Sequence, residues 1–336
     1  MLVLILHFQI FYNNHYFFNN RVFGFGEHGV AIFFVLSGFL ITNNLCKRPK
    51  VDLLRFYIRR FFRLMPAAWA YLLALYVTGL IAHVHYIYPH DAVACLLSYR
   101  NLIHNYPFEH HTIQFWSLSS EEQFYVIWPF VLVFFTRRAS IIFASIVVLG
   151  FASYKVLHTS IYFPVGGGFP AKPFVRFVQF DEIAIGCLLA FLLESEAVRE
   201  WFHRNGSRLF YVCAPIVFFD VCNFQAMPPF HEVILIALMM GCTMLNPQMT
   251  ASRFFELPHL KTTGVFCYGI YLWQGLWIDP LFGPLGVLLL PLAVFGSWFL
   301  IEQPSLRLGD KLWNRLNTKK QRSRISVAEA ATNSPV

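Results

Sequence analysis

Long runs of apolar residues, each near the length needed to cross a bilayer, constrain this chain more than any other feature of its sequence. Of its 336 residues, 57% are hydrophobic and only 13% are charged, whereas about 25% of the residues in a typical soluble domain are charged. A soluble fold cannot bury so much apolar surface, but a bilayer lets the outer side of each helix remain apolar. The sequence therefore predicts an all-α integral membrane protein.

Ten segments are candidate membrane spans. They lie near residues 1–12, 29–45, 66–83, 122–136, 139–157, 180–194, 208–223, 231–246, 264–281 and 284–301. The first is too short to cross about 30 Å of hydrocarbon at about 1.5 Å per residue, so its natural start is expected upstream of Met1. We expect one bundle over residues 1–308, with its first helix truncated, and a basic, disordered cytoplasmic tail over 309–336.

The distribution of basic residues predicts the orientation of these spans. With a cytoplasmic N-terminus, the cytoplasmic segments hold 21 of the 26 lysines and arginines and the outer segments hold five. This bias follows the positive-inside rule and predicts that both termini are cytoplasmic. The net charge of +8 is thereby explained without a nucleic-acid partner. The basic tail is interpreted as solvated, with contact to anionic membrane lipids as the alternative.

Three arginines stand at the predicted cytoplasmic start of the third span, in the run Arg59-Arg60-Phe61-Phe62-Arg63. Helical residues three and four apart share one face, and guanidinium groups bind phosphate oxygens in a bidentate manner. The run is therefore a candidate phosphate site. The alternative is a membrane anchor whose partners are lipid headgroups.

Ionisable groups inside or at the entry of a span mark candidate sites, because they are costly there. His7 lies in the first span, and a neutral imidazole can accept a proton from a hydroxyl group near pH 7. Glu121 and Glu122 lie at the predicted outer start of the fourth span, at a depth similar to that expected for His7. A carboxylate could therefore orient the imidazole, although the two point about 100° apart, so at most one should face the bundle interior. The alternatives are a hydrogen bond between helices for His7 and a capped helix start for the carboxylates.

Two other patterns are interpreted as structural or dismissed. Ser37-Gly38 is a pair of small residues in a span rich in phenylalanine, which favours close helix packing over a nucleophilic role for Ser37. The histidines between residues 83 and 111 show no ligand spacing typical of a metal site, so no metal is expected.

In this order, these segments resemble the membrane acyltransferase-3 family of O-acyltransferases, over nearly the whole chain to about Leu308. The resemblance rests on the motifs above and on four further runs: Trp116-Ser117-Leu118, Phe180-Asp181-Glu182, Tyr268 to Trp273, and Ile301 to Pro304. It implies a fold of ten helices and acyl-coenzyme A as a co-substrate, with no permanently bound cofactor. It also implies a glycan or lipid-linked acceptor at the outer side of the membrane.

The resemblance implies roles for individual residues. Arg59, Arg60 and Arg63 match the motif tied to donor binding. His7 matches the catalytic histidine, and Glu122, with Glu121 as the alternative, matches the acidic position of the fourth span. Further residues expected at the pocket are Ser37, Trp116, Asp181, Tyr271 and Gln274.

The chain also departs from the family's pattern. Gln274 stands where members usually carry histidine, and Gln179 stands where many carry arginine. An arginine of the family's first helix would precede Met1. Because no extracytoplasmic hydrolase-like domain accompanies the bundle, the chain is expected to be a stand-alone member.

The resulting expectation is a multi-pass O-acyltransferase of the bacterial inner membrane. It would move an acyl group, which we expect to be acetyl, from cytoplasmic acyl-coenzyme A to a hydroxyl of a glycan or glycolipid. The alternative from another class is a transporter or flippase of an anionic amphiphile, for which the arginines matter and His7 is dispensable.

Overall fold

The computed structural model of the chain describes residues 25–47, 52–103, 110–161, 179–223, 230–279 and 281–332. Every regular element within these ranges is helical, and none is a strand. The all-α class predicted from the sequence is therefore confirmed. The segment 1–12, and with it His7, lies outside the described residues.

The helices are numbered here in chain order. They are α1 (Phe25–Cys46), α2 (Leu53–Ala82), α3 (Pro89–Leu96), α4 (Phe115–Phe134), α5 (Arg137–Ile161), α6 (Phe180–Leu192), α7 (Glu196–Asn223), α8 (Phe230–Leu245), α9 (Thr250–Phe255), α10 (Pro258–Trp277), α11 (Gly283–Ser297) and α12 (Gln303–Thr332). Short 3₁₀ turns at Arg100–Leu102 and His110–Thr112 lie between α3 and α4, and a π-helical segment, Trp298–Glu302, joins α11 to α12.

Several of these helices are suited to a bilayer. Within the described ranges, four helical segments are long and apolar enough to cross a membrane: His28–Cys46, Leu53–Ala82, Arg137–Lys155 and Leu285–Thr318. Each predicted span from 29–45 onward coincides with a helix. The membrane class is thus supported, while ten spans and the positions of the termini stay predictions.

Helix α2 begins well before its apolar core. The carboxylate of Asp52 accepts a hydrogen bond from the backbone N–H of Arg55 at 3.1 Å and caps the first turn. The helix ends at Ala82, and the next residue, His83, caps it in a left-handed conformation with φ 55°. The arginine run is therefore built into a continuous helix of 30 residues, ahead of the predicted span 66–83.

Helices α1 and α6 approach each other closely through two glycines. A Cβ atom at Gly38 would lie 1.8 Å from the carbonyl oxygen of Ile183, and one at Gly186 would lie 2.0 Å from that of Val35. Only residues without a side chain permit this backbone contact. The close packing predicted from Ser37-Gly38 is confirmed.

Helix α4 lies between two apolar cores. Its second half, including Phe124 and Trp128, packs with α1, α5, α6 and α8. Its first turn, including Phe115 and Leu118, packs with α2, α10 and α11. Glu121 and Glu122 lie between these two stretches, so the fold places both carboxylates where the cores meet.

The C-terminal helix extends beyond the predicted end of the bundle. The sequence predicted a disordered tail from residue 309, whereas α12 continues to Thr332. Its first turns have a packing partner, since Gly309 lies against the ring of Phe62 and Trp313 lies 5.8 Å from the guanidinium of Arg55. The polar composition of the tail did not reveal this contact with α2.

We expect Gly186→Ala to destabilise the protein, because its new methyl group must push α1 away from α6. Overpacking of this kind typically costs about 1–3 kcal/mol. Thermal unfolding in detergent would measure the loss. Gly150→Ala in α5 is the matched control, because no atom lies within 4 Å of its added Cβ, and alanine is favoured over glycine in a helix by about 1 kcal/mol. Equal melting temperatures for the two variants would contradict the glycine contact.

Candidate active site

A buried ionic cluster joins α2 to α4. One guanidinium nitrogen of Arg60, Nη2, lies 2.8 Å from Oε1 of Glu122 and 3.3 Å from Oε1 of Glu121. The Arg60 side chain is only 14% exposed, and both carboxylates are largely buried. One positive charge thus faces two negative ones in a place where desolvation is expensive.

Helix α1 completes this cluster. The hydroxyl of Ser37 donates to Oε1 of Glu121 at 2.8 Å, and the hydroxyl of Tyr125 donates to the backbone carbonyl of Ser37 at 3.1 Å. The guanidinium carbon of Arg60 lies 3.2 Å from the centre of the Tyr125 ring, a cation–π arrangement. Two side chains from other helices, Ser37 of α1 and Arg60 of α2, therefore hold Glu121, and Tyr125 contacts both of these residues.

Both carboxylates face the bundle, which the sequence did not predict. Adjacent helical residues point about 100° apart, so only one was expected to face inward. The long Arg60 side chain reaches both carboxylates and lets each be largely buried. The prediction failed because it considered α4 alone. It left out Arg60 of α2, whose side chain is long enough to reach both carboxylates.

The predicted depth of the carboxylates was also wrong. The arginines were placed at the cytoplasmic mouth and the carboxylates at the outer surface, yet the two groups are in contact, and a hydrocarbon core is about 30 Å thick. Helix α4 starts beside the middle of α2, where the rings of Phe115 and Tyr71 lie 5.9 Å apart. It then runs back along the first half of α2, where the Tyr57 hydroxyl donates to the carbonyl of Val126.

The segment between α2 and α4 explains this error. It was treated as an external loop, but it carries a buried ion pair in which Nε of Arg100 lies 3.2 Å from Oδ1 of Asp91. Asn101 is buried as well and donates to Ser120 at 3.2 Å and to Gln123 at 3.0 Å, both on α4. These polar contacts carry the chain into the bundle before α4 begins.

The three arginines of the run do not share one environment. Arg60 is turned to the carboxylates, whereas Arg59 and Arg63 are exposed. Arg59 and Arg63 are four residues apart and so lie on the same exposed side of α2. Among the residues that the structure describes, these two remain suited to a phosphate group, while Arg60 already has anionic partners.

The predicted pocket residues fall into three places. Ser37 belongs to the ionic cluster. Trp116 lies close by on α4, with its ring 6.0 Å from that of Phe34. Asp181 lies apart from it in the first turn of α6, where Nζ of Lys155 approaches its Oδ2 to 2.6 Å.

Tyr271 and Gln274 come from α10, on the other side of α4. The Tyr271 hydroxyl hydrogen-bonds to Ser117, which lies four residues before Glu121 and thus on the same face of α4. Gln274 is 1% exposed, and its Nε2 makes no hydrogen bond to the residues that the structure describes. This side-chain amide is a buried donor about one turn beyond Tyr271, next to Gly275, whose neighbours are Gln114 and Tyr71.

Sequence reasoning missed the buried pair of His28 and Glu232. Nδ1 of His28 in α1 lies 2.5 Å from Oε1 of Glu232 in α8, and the two residues are 1% and 0% exposed. Both residues lie at the edge of a predicted span, so neither was weighed as an intramembrane group. Counting ionisable residues within one turn of each span would have found them.

The ionic cluster offers two kinds of chemistry. Carboxylates held by arginine and serine donors are fixed acceptors that can orient an imidazole or bind a hydroxyl group. The exposed arginines outside the cluster offer donors for an anion. Within the described ranges, no group of three or more histidine, cysteine, aspartate or glutamate side chains could hold a metal ion.

Comparison with known proteins gives two informative relatives. The chain is 28% identical over 282 residues to a Listeria monocytogenes protein named "Peptidoglycan O-acetyltransferase OatA". The aligned region covers 74% of this chain and 44% of that protein. It is 26% identical over 285 residues to a Bacillus subtilis protein named "Putative peptidoglycan O-acetyltransferase YrhL", again over 74% of this chain and 44% of the relative. The chain thus spans less than half the length of these relatives.

No solved structure matches the chain. A family model described as an acyltransferase domain matches residues 1–301, which include the ionic cluster and the exposed arginines. On this match, the chain belongs to the acyltransferase-3 family.

Proposed function

We propose that the protein is a membrane O-acyltransferase. In this proposal, it moves an acyl group, with acetyl as the first choice, from cytoplasmic acyl-coenzyme A to a hydroxyl of a glycan or glycolipid at the outer side of the membrane. The names of the two relatives support acetyl as the group and peptidoglycan as the acceptor. The observation that carries the proposal is the ionic cluster of Arg60, Glu121 and Glu122, buried where the two apolar cores meet.

The proposal includes a topology. Ten spans, with both termini in the cytoplasm of a bacterial cell and the bundle in its inner membrane, would put Arg59 and Arg63 at the cytoplasmic side. The charge bias of the loops supports this orientation. Acyl-coenzyme A is then bound from the cytoplasm through its phosphates, as a co-substrate that leaves after each turnover.

The exposed arginines are proposed as the phosphate ligands. Arg59 and Arg63 lie on one accessible side of α2 and can each make charge-assisted hydrogen bonds to phosphate oxygens. Arg60 takes a different role from the one that the resemblance implied. Because two buried carboxylates hold its guanidinium, Arg60 is a positioning residue for the cluster.

The transfer itself needs a proton acceptor. The acceptor oxygen attacks the acyl carbon, a C–O bond forms and the C–S bond of the thioester breaks. The hydroxyl proton passes to a base and then to the departing sulfur. The family resemblance proposes His7 as this base and Glu122 as the group that orients it, with Trp116, Tyr271 and Gln274 as candidate donors to the oxyanion.

The proposed function predicts thiol release from acetyl-coenzyme A by the purified protein when solubilised peptidoglycan fragments are present. His7→Ala should lower the rate by about 10²-fold or more, because a general base contributes about 10²–10⁴-fold. Arg63→Ala should raise KM for acetyl-coenzyme A by about tenfold or more, since a hydrogen bond to a charged group is worth about 1.5–3 kcal/mol. Thiol release detected with a chromogenic disulfide would measure both effects.

Arg204→Ala is the control for loss of an exposed arginine, because Arg204 pairs only with Glu200 on the exposed side of α7 among the described residues. We expect its kinetics to match those of the wild type. If the wild type binds acetyl-coenzyme A but releases no thiol with any acceptor, and His7→Ala binds it equally well, the protein is a transporter and the proposal fails.

The separate role of Arg60 predicts a difference in stability within the arginine run. Arg60→Ala leaves two buried carboxylates without a counter-ion and should cost about 3–5 kcal/mol. Arg59→Ala removes an exposed charge and should change stability by about 0.5 kcal/mol or less. Thermal unfolding of both variants in the same detergent would compare them.

A second variant tests whether the lost stability comes from the carboxylates that Arg60→Ala leaves without a counter-ion. Adding Glu122→Gln to Arg60→Ala removes one of the uncompensated carboxylates and should restore part of the lost stability. If Arg60→Ala is no less stable than Arg59→Ala, or if Glu122→Gln makes it worse, Arg60 does not hold the cluster together.

A further inference from the structure

Helix α10 carries three buried side-chain N–H donors that make no hydrogen bond to the described residues. They are Nε1 of Trp273, Nε2 of Gln274 and Nε1 of Trp277. Trp273 is 8% exposed and Gln274 is 1% exposed. Buried donors in folded proteins almost always have a partner, so each exception needs an explanation. Three exceptions within a little more than one turn of a helix indicate a ligand that supplies the missing acceptors.

The three donors lie on one side of α10. Residues three and four apart share a side of a helix, and Trp277 follows Gln274 by three residues and Trp273 by four. Aromatic contacts hold the two indole rings, because Trp273 packs edge-on against Tyr71 at 5.7 Å and Trp277 lies 4.9 Å from Phe282, both between ring centres. We call Trp273, Gln274 and Trp277 the donor strip.

The donor strip lies farther along the bundle than the exposed arginines. The Tyr268 hydroxyl donates to the carbonyl of Leu64 at 2.7 Å, and a Cβ atom at Gly275 would lie 2.5 Å from the Tyr71 hydroxyl. Because the second contact follows the first by the same number of residues on both helices, α10 and α2 run side by side in the same direction. At about 1.5 Å per residue, the strip extends from about 8 Å to about 14 Å past the level of Arg63.

The co-substrate of the proposed transfer carries hydrogen-bond acceptors at these distances. The arm of acyl-coenzyme A has two amide carbonyls and the thioester carbonyl. At about 1.3 Å per bond, their carbon atoms lie about 5, 10 and 17 Å from the diphosphate when the arm is extended. Phosphates bound by Arg59 and Arg63 would therefore place these carbonyls on either side of the donor strip and alongside it.

The chemistry of the two indoles suits this arm better than it suits a sugar. An indole N–H only donates, and a carbonyl oxygen only accepts. Sugar hydroxyl groups need acceptors as well as donors, which the indoles do not provide. The arm between the carbonyls consists mostly of methylene and methyl groups, against which large aromatic rings pack well.

From this arrangement we propose that the donor strip is the binding site for the pantetheine arm of acyl-coenzyme A. Its N–H groups donate to the carbonyl oxygens of the arm, and the rings of Trp273 and Trp277 pack against the methylene groups. The inference rests on the proposed function and leaves the proton step with His7. Gln274 remains a candidate donor to the oxyanion, since the thioester carbonyl is one of these acceptors.

The test measures the binding of two ligands to the purified full chain in detergent. Coenzyme A carries the arm, whereas adenosine 3′,5′-bisphosphate carries phosphates and lacks the arm. Trp273→Phe and Trp277→Phe each keep an aromatic ring and remove the N–H. Each variant should weaken the binding of coenzyme A by about 2- to 12-fold, the range expected for one hydrogen bond, and leave the binding of the bisphosphate within about twofold.

Two further variants are controls. Trp201→Phe in α7 makes the same substitution at a residue that is 50% exposed, and it should bind both ligands like the wild type. Arg63→Ala should weaken the binding of both ligands, because both carry phosphates. Unchanged binding of the bisphosphate also shows that a tryptophan variant is folded around its phosphate site.

The inference fails if both buried tryptophan variants bind coenzyme A as tightly as the wild type, or if they weaken the binding of the bisphosphate equally. It also fails if they raise only the KM for peptidoglycan fragments, because the strip would then bind the acceptor. In each case, a wild type that releases thiol from acetyl-coenzyme A leaves the proposed function standing. A wild type that binds no coenzyme A overturns the proposed function and this inference together.

Discussion

The position of Arg60 between two carboxylates is the interaction on which the central part of this bundle depends. Three charged groups packed among phenylalanine, tryptophan and leucine side chains are tolerated only because each lies within contact distance of an opposite charge. The contact aligns the first half of α2 with the middle of α4 and brings Ser37 of α1 against Glu121. Burial of the cluster thus fixes how three helices are aligned along their axes, which apolar packing alone leaves poorly specified.

The glycine contact between α1 and α6 has a complementary effect. Backbone atoms of α1 and α6 are in direct contact at Gly38 and Gly186, which holds the two helices rigidly together. Ser37 lies one residue from the point of closest approach. The hydroxyl that donates to Glu121 is therefore carried by one of the least movable positions in the described part of the chain. Two adjacent residues of α1 therefore serve the two features: Ser37 belongs to the ionic cluster and Gly38 to the glycine contact.

Much of this architecture could be predicted from the sequence. Apolar runs indicated the helix at each predicted span from 29–45 onward, but not the short helices α3 and α9 or the polar helix α12. Ser37-Gly38 indicated a close contact. The depth of Glu121 and Glu122 could not be predicted, because it depends on how the segment from Val84 to Gln114 folds. The described part of that segment contains buried polar groups such as Arg100 and Asn101, whose partners are set by tertiary contacts. The His28–Glu232 pair was missed for another reason, because both residues lie at the edge of a predicted span, where ionisable residues were not weighed.

The place of α4 between two apolar cores has a mechanical consequence. Tyr125 and Trp128 belong to the core built on α1 and α6, whereas Phe115 and Leu118 belong to the core built on α2 and α10. Ser37 of α1 and Arg60 of α2 both contact Oε1 of Glu121, at 2.8 Å and 3.3 Å. A movement that carried α4 away from either helix would therefore leave this buried carboxylate with one of its two partners. Because a buried carboxylate without its partners is costly, such a movement requires another donor to replace the one that is lost.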